Sequence, residues 1–416
     1  MISASGAREA PRVCDNPHSM TRIALVYFDA GGGHRSAATA LQATIQQRSF
    51  PWNVELVNLQ ELLDPIDVVR RLTGLRIQDV YNNMLQKGWT LGSPELMRAL
   101  QGLIWMFHGQ SVRLLEEFWR QWRPDLVVSL VPHFNRALCE SLEKSCPGKP
   151  FVTVLTDIAD YPPHFWIERQ RQYLVCGSER AMEQARKLGH GNGHVFRTSG
   201  MILNPKFYGY AKVDRAAERK RLGLDPERVT GLVLFGGQGS WKMRDIDRRL
   251  GQAGLPLQLI YICGKNEKLA EALRAENSGL PKLVEGFTTN IPYYMQLSDF
   301  FIGKPGPGSI AEAMAMGLPV IVERNAWTLP QERYNTEWVK QEKVGLVVRS
   351  FTSIAQAVEE LLEPGQFSVF RSRAAAMENR ALFEIPEIFE KILAGSSGEG
   401  KEAASRTDAQ PVRGRA

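Results

Sequence analysis

From one end to the other, the chain alternates short unbroken apolar runs with longer amphipathic segments, and few folds accommodate that rhythm. RIALVYF (22–28) passes through AGGGH into the helical RSAATALQATIQQR, and DLVVSLV (125–131) and FVTVLTD (151–157) follow. The second half repeats the scheme with GLVLFGGQGS (231–240), LQLIYICGKNEKLAEALRAE (257–276) and DFFIGKPGPGSIAEAMAMG (299–317), then LPVIVE and VGLVV. Strands apolar on both faces need cover on both sides, which helices in the crossover connections provide. The pattern therefore predicts an α/β protein of doubly wound parallel sheets.

The 416 residues are enough for two such arrays, each with its own core. The seam falls in SGMILNPKFYGYAKVDRAAERKRLGLDPERVTG, which has a turn-rich entry followed by a charged helix. This places an N-terminal unit at 20–205 and a C-terminal unit at 206–393. Residues 1–19 and 394–416 have the Ser, Gly and charge content of disordered ends. No repeat of 20–50 residues is visible.

Composition narrows the function. A net charge of +6 suits phosphate-bearing ligands or an anionic membrane surface, but no Lys/Arg block or nucleic-acid signature accompanies it. The five cysteines, Cys14, Cys139, Cys146, Cys176 and Cys263, form no CxxC pair, which argues against a disulfide framework or zinc site and fits a reducing cytoplasm. The opening MISASGAREAPRVCDNPHSM lacks the apolar core of a signal peptide. The most apolar long segment, 95–115, is interrupted by Arg98, Gln101, His108 and Arg113, so any membrane contact is expected to be peripheral.

Three glycine-rich loops leave strand ends: AGGGH (30–34), GGQGS (236–240) and GPGS (306–309). In open α/β sheets ligands bind at that edge, and three such loops over two units favour a ligand clamped between them. None is a GxxxxGK[ST] or GxGxxG motif. In the third, Ser309 and Glu312 have the spacing of a capping box. The same loop can instead leave backbone N–H groups beside Gly306 and Gly308 open to phosphate oxygens, helped by the helix dipole.

His34 closes the first loop, and Asp157 ends the strand of VLTDIADYPPHFW. Each is either structural (a loop histidine, a turn cap) or an acid/base group facing the cleft. DID, Asp245–Asp247, has a metal-pair spacing but sits in SWKMRDIDRRLGQ, which reads as an exposed helix where the two side chains diverge. The aromatic stretch LIWMFHGQSVRLLEEFWRQWRPD (103–125) has helical apolar spacing that favours packing on the first sheet over a lipid-binding face.

GGGHRSAATAL, PDLVVSLVPHFN, TVLTDIADYPPHFW, ICGKNEKLAEAL and GKPGPGSIAEAMAMGLPVIV followed by PQERYNTEWV resemble the monogalactosyldiacylglycerol synthases and processive diacylglycerol glucosyltransferases. More distantly they resemble the UDP-N-acetylglucosamine transferase that completes the lipid-linked peptidoglycan precursor. The resemblance runs from about residue 21 to about residue 392 and implies a GT-B fold, two Rossmann-like lobes around a cleft. It further implies a UDP-sugar donor on the C-terminal lobe, a lipid acceptor on the N-terminal lobe, and inversion without an essential metal or other cofactor. Carried over by position, Glu312 corresponds to the ribose ligand, and Gly306, Gly308 and Ser309 to the diphosphate site, with Gly236, Gly237 and Gly239 facing it. Phe287 and Thr288 correspond to the uracil turn, Gln331 and Glu332 to the sugar-hydroxyl pair, and Gly32, Gly33 and His133 to the acceptor side. The chain departs from the pattern at Asn204, where relatives carry an arginine that Lys206 could replace, and at Pro132-His133, where the family has His-Pro.

The expected activity is transfer of a hexose from a UDP-sugar to a diacylglycerol-type lipid, at the inner face of the cell membrane. His34 is the first choice of base, because an unperturbed imidazole titrates near working pH. Asp157 is the second. The rival readings are a non-hydrolysing UDP-sugar epimerase and a non-catalytic nucleotide-sugar-binding module.

Overall fold

In the computed structural model the described residues are 20–29, 33–66, 101–102 and 104–407. They form two six-stranded, wholly parallel sheets. The first comprises β1 (Thr21–Tyr27), β2 (Trp52–Asn58), β3 (Leu126–Ser129), β4 (Phe151–Val154), β5 (Tyr173–Cys176) and β6 (Val195–Arg197), in the order β2-β1-β3-β4-β5-β6. The second comprises β7 (Val229–Leu234), β8 (Leu257–Ile262), β9 (Lys282–Glu285), β10 (Phe300–Gly303), β11 (Val320–Glu323) and β12 (Gly345–Val348), in the order β12-β11-β10-β7-β8-β9. The helices used below are α1 (Gly33–Gln47), α2 (His108–Trp122), α3 (Asn135–Ser145), α4 (Lys242–Ala253), α5 (Pro307–Ala315), α6 (Arg333–Glu342) and α7 (Ala381–Thr407). This is the expected α/β architecture.

Both faces of the first sheet are covered, which is why its strands are uninterrupted apolar runs. Ile23 and Leu25 face Leu41 and Ile45 of α1. Their neighbours Ala24 and Val26 face Val112, Leu115 and Trp119 of α2 and Leu138 of α3. The helical part of the aromatic stretch is thus core, with Trp119 Nε1 donating to Ser141 Oγ at 3.0 Å. Just upstream, Trp105 and Met106 are 76% and 70% exposed.

The terminal helix departs from the expected division at 206–393. Ile385, Ile388, Phe389 and Ile392 of α7 belong to the core of the first lobe, alongside Ile23 and Leu41. Arg48 clasps the helix, donating to the Phe383 carbonyl at 2.9 Å and to Glu387 at 3.0 Å. Asn379 donates to the Met201 carbonyl at 2.9 Å, and a Cβ on Gly200 would come within 2.7 Å of that side chain. Chain order places the helix after the second sheet, whereas its apolar stripe covers the first. It also continues to Thr407, past the boundary at 394, because extending a helix already anchored by packing needs no new nucleation. Residues 1–19 lie outside the described residues.

Candidate active site

Each sheet has one point where the strand order reverses, between β1 and β3 in the first and between β7 and β10 in the second. Ligand crevices in doubly wound sheets open there, at the carboxyl ends of the strands. The loops that leave β7 and β10 are GGQGS and KPGPGS, those leaving β3 and β4 carry His133 and Asp157, and His34 stands in the first turn of α1, after β1.

In the second lobe the loops are locked by close backbone approach. Gly239 has φ +62°, and a Cβ there would lie 2.5 Å from the Cys263 carbonyl oxygen. Lys265 N donates to the Gly237 carbonyl at 2.9 Å, which ties this loop to the one after β8. Phe287 is 60% exposed beyond it, with Lys265 Nζ 5.7 Å from its ring centroid. Thr288 Oγ1 accepts from Asn290 N at 3.0 Å and shapes its own turn. Lys206 Nζ reaches Thr289 Oγ1 at 3.2 Å, while Asn204 caps the short turn that begins at Pro205.

The capping box does not form. Pro307 takes the first helical position of α5, where its fixed φ is favourable, so Gly306 becomes the N-cap and Ser309 falls inside the first turn. No side chain caps this end, and the first backbone bond into the helix runs from Ile310 N to Gly306 O at 3.1 Å. The N–H groups of Gly308 and Ser309 therefore face outward with no acceptor recorded among the described residues, at the positive end of the dipole. Glu312, one turn on, is half-buried and its carboxylate accepts no hydrogen bond from a described residue. Burial alone raises it to about 7. A carboxyl held this way suits ligand hydroxyls.

Lys304, the residue after β10, was not singled out by sequence reading. Its Nζ lies 3.0 Å from Glu332 Oε1, and Glu332 is only 7% exposed. Gln331 is half-buried beside it. The GKPGPGS stretch contained the signal, a cation between a strand end and a phosphate-binding type of loop, but its partner is 28 residues away.

The first lobe faces this with buried titratable groups. Asp157 is 8% exposed and its Oδ2 accepts from Trp166 Nε1 at 2.9 Å. Burial is the main cause that raises it to about 7; the Trp166 bond opposes this, the Glu332 charge adds to it and Lys304 opposes it. Two residues of the opposite lobe thus act on Asp157, so the acid/base candidate and the glycine loops share one cleft. His34 is half-buried, with Nδ1 3.1 Å from Thr156 Oγ1 and its ring 6.0 Å from that of Trp166. Burial lowers it to about 4, only partly offset by its hydrogen bond to the Leu130 carbonyl. The expectation of an unperturbed imidazole is therefore overturned. A dense protein surround disfavours the charged ring.

His133, with φ +66°, packs edge-on against Phe165 at 4.2 Å between ring centroids. Its Nε2 is buried without a partner among the described residues, and burial lowers the ring to about 4. Gly33 opens α1, whereas Gly32 lies outside the described residues. Asp245 and Asp247 diverge: Asp245 pairs with Arg248, while Asp247 is fully buried and bonded to Lys282 Nζ at 2.6 Å and Tyr261 Oη at 3.2 Å. The second aspartate is thus not on an exposed face. Among the described residues no group of three His, Cys, Asp or Glu is placed to hold a metal ion.

Residues 232–388, which span the glycine loops, Glu312 and Glu332, match the glycosyltransferase family 28 C-terminal domain. Over that span this chain is similar to the family 28 glycosyltransferases. It is 28% identical over 374 residues to the monogalactosyldiacylglycerol synthase of Spinacia oleracea, covering 84% of this chain and 67% of that one. Against monogalactosyldiacylglycerol synthase 1 of Arabidopsis thaliana it is 26% identical over 364 residues, covering 82% and 65%. Among solved structures, the MurG of Acinetobacter baumannii superposes with a TM-score of 0.58 at 13% identity, covering 89% of this chain and 99% of that one. S. aureus MnaA, solved with UDP, gives 0.58 at 15% identity, with 90% and 97% covered. Anabaena HepE, solved with UDP and glucose, gives 0.51 at 16%, with 90% and 100% covered. These structures establish the GT-B fold.

Proposed function

We propose that this glycosyltransferase moves a hexose from a UDP-sugar to the hydroxyl of a diacylglycerol-type lipid, with inversion at the anomeric carbon. One observation carries the reading: Asp157 of the first lobe lies within the electrostatic reach of Lys304 and Glu332 of the second. An acid/base carboxyl and a phosphate-binding helix start therefore face the same reacting atoms. Relatives named for monogalactosyldiacylglycerol synthesis support the lipid acceptor, and neighbours solved with UDP support the donor.

In this reading the donor lies on the second lobe. The ribose hydroxyls meet Glu312, the diphosphate meets Gly308 and Ser309 opposite Gly236, Gly237 and Gly239, the uracil meets Phe287 and Thr288, and the sugar meets Gln331. The acceptor lies against Gly33 and His133. Asp157 takes the acceptor proton, because a carboxyl titrating at about 7 is a stronger base at working pH than an imidazole lowered to about 4. His34 positions Thr156, the neighbour of Asp157. The acceptor oxygen then bonds to the anomeric carbon as UDP leaves, with helix N–H groups rather than a metal meeting its charge.

No helix among the described residues is long and apolar enough to cross a membrane. The exposed Trp105 and Met106 beside α2 fit peripheral contact with a membrane surface. The test is a panel of UDP-galactose, UDP-glucose and UDP-N-acetylglucosamine, each offered with diacylglycerol and analysed by product mass and anomeric configuration. A β-linked glycolipid from one donor is expected, and no glycolipid from any donor would overturn the assignment.

A further inference from the structure

We propose that Lys304 is the catalytic cation that neutralises the departing diphosphate, and that Glu332 is the positioning residue that aims it rather than a sugar contact. The inference rests on the donor reading above and assigns it a residue.

Four distances place the end of the lysine side chain. Nζ is 3.0 Å from Glu332 Oε1. A Cβ built on Gly306, the N-cap of α5, would lie 3.3 Å from the Lys304 Cε and 3.8 Å from its Nζ. A Cβ built on Gly236 would lie 3.8 Å from the same Cε. The side chain thus runs between the two glycine loops that would hold the diphosphate, and both loops lack a Cβ where it passes. Glu332 Oε1 is 3.7 Å from the Gly306 Cβ position, so the carboxylate backs the lysine from the side of the helix start. Being 7% exposed and paired, Glu332 is committed to Lys304 before any sugar arrives.

Charge magnitudes explain the need. A helix N-terminus supplies the equivalent of roughly half a unit of positive charge. When the bond between anomeric carbon and β-phosphate oxygen breaks, its electron pair stays on that oxygen and adds about a full negative charge to a group already anionic. The acceptor oxygen forms the new bond to carbon and its proton passes to Asp157, so the first lobe ends with no charge to offer the leaving group. An ammonium beside the helix start meets the remainder, and its field also reaches Asp157 across the cleft.

Calorimetry on the full chain separates the diphosphate from the nucleoside. Lys304→Met should weaken UDP binding at least tenfold, leave uridine binding unchanged, and lower kcat by roughly 10²-fold, the scale for losing one transition-state donor. Lys304→Arg, which keeps the charge, should restore part of both losses. Because Lys304→Met leaves a buried carboxylate unpaired, the double variant Lys304→Met/Glu332→Gln guards against misfolding and should show the same contrast between UDP and uridine. Glu332→Gln alone should alter affinity for UDP, which a contact confined to the sugar would not do. Unchanged UDP affinity in Lys304→Met, or equal loss of uridine and UDP in the double variant, would overturn the proposal. Failure of the unmodified chain to bind UDP would instead overturn the donor reading beneath it.

Discussion

The two lobes share a fold and present opposite kinds of chemistry to the cleft between them. The first offers titratable side chains whose ordinary values are displaced by burial: Asp157 up to about 7, His34 and His133 down to about 4. The second offers mostly backbone, two glycine loops and an uncapped helix start, with Glu312, Lys304 and Glu332 as the charged exceptions. The difference matches the proposed division of the reaction between the lobes. A proton can be moved only by a group whose titration is tuned, whereas a diphosphate is held best by fixed dipoles that cost no reorganisation.

The largest expected effect breaks the first lobe's half of that comparison. Asp157→Asn retains an oxygen for Trp166 Nε1 but cannot take a proton, so turnover should fall roughly 10²–10⁴-fold with UDP affinity nearly unchanged. His34→Ala should cost less, since its contact is with Thr156. A dead His34→Ala beside a near-normal Asp157→Asn, measured by steady-state kinetics, would return the base to the histidine. If Asp157 is the base, kcat/KM should also rise with pH through about 7 and level off above it; a base lowered to about 4 would give a flat profile over the same range.

The next effect falls on the second lobe. Glu312→Gln should weaken UDP binding by about 1–3 kcal/mol, the range for leaving a buried hydrogen-bond partner unsatisfied. Tm should hold or rise, because the carboxyl caps no helix and makes no hydrogen bond with a described residue. Unchanged UDP affinity by calorimetry would leave Glu312 without a ligand role.

A smaller effect separates the lobes by stability. Asp157 and Glu312 both titrate in the fold at about 7, well above unfolded carboxyls, so between about pH 4 and 7 the native state holds more protons at these sites. Their contribution is favourable at low pH and is lost as pH rises through 7. Denaturant melts should show Asp157→Asn and Glu312→Gln gaining on the unmodified chain as pH climbs across that window, and a constant gap would contradict the burial account. The smallest expected effect is none: activity should survive thorough chelation with EDTA, since dipoles and Lys304 are given the diphosphate's charge. Activity abolished by EDTA and restored by magnesium or manganese would undo that assignment.

Much of this was legible in the sequence because strand ends and glycine loops are local signals. RIALVYF, DLVVSLV, GLVLF and DFFIG marked the strands that flank both reversal points, and the loops after them followed directly. What was hidden depended on tertiary contact. Nothing local pairs Lys304 with Glu332, or tells that the stripe on α7 covers the sheet of the other lobe. The capping box at Ser309 and Glu312 failed for a local reason that spacing alone underweights, Pro307 fixing the helix start three residues early. His34 looked poised at working pH until its surroundings were known, since burial is a property of the fold and not of AGGGH.

The most direct test of two lobes serving two substrates is UDP release from the sugar donor identified in the panel, measured with and without diacylglycerol. The account predicts negligible UDP without the lipid and, with it, one UDP for each sugar appearing in glycolipid. An altered UDP-sugar formed in the absence of lipid, with no UDP released on adding it, would contradict the account and return the cleft to an isomerase.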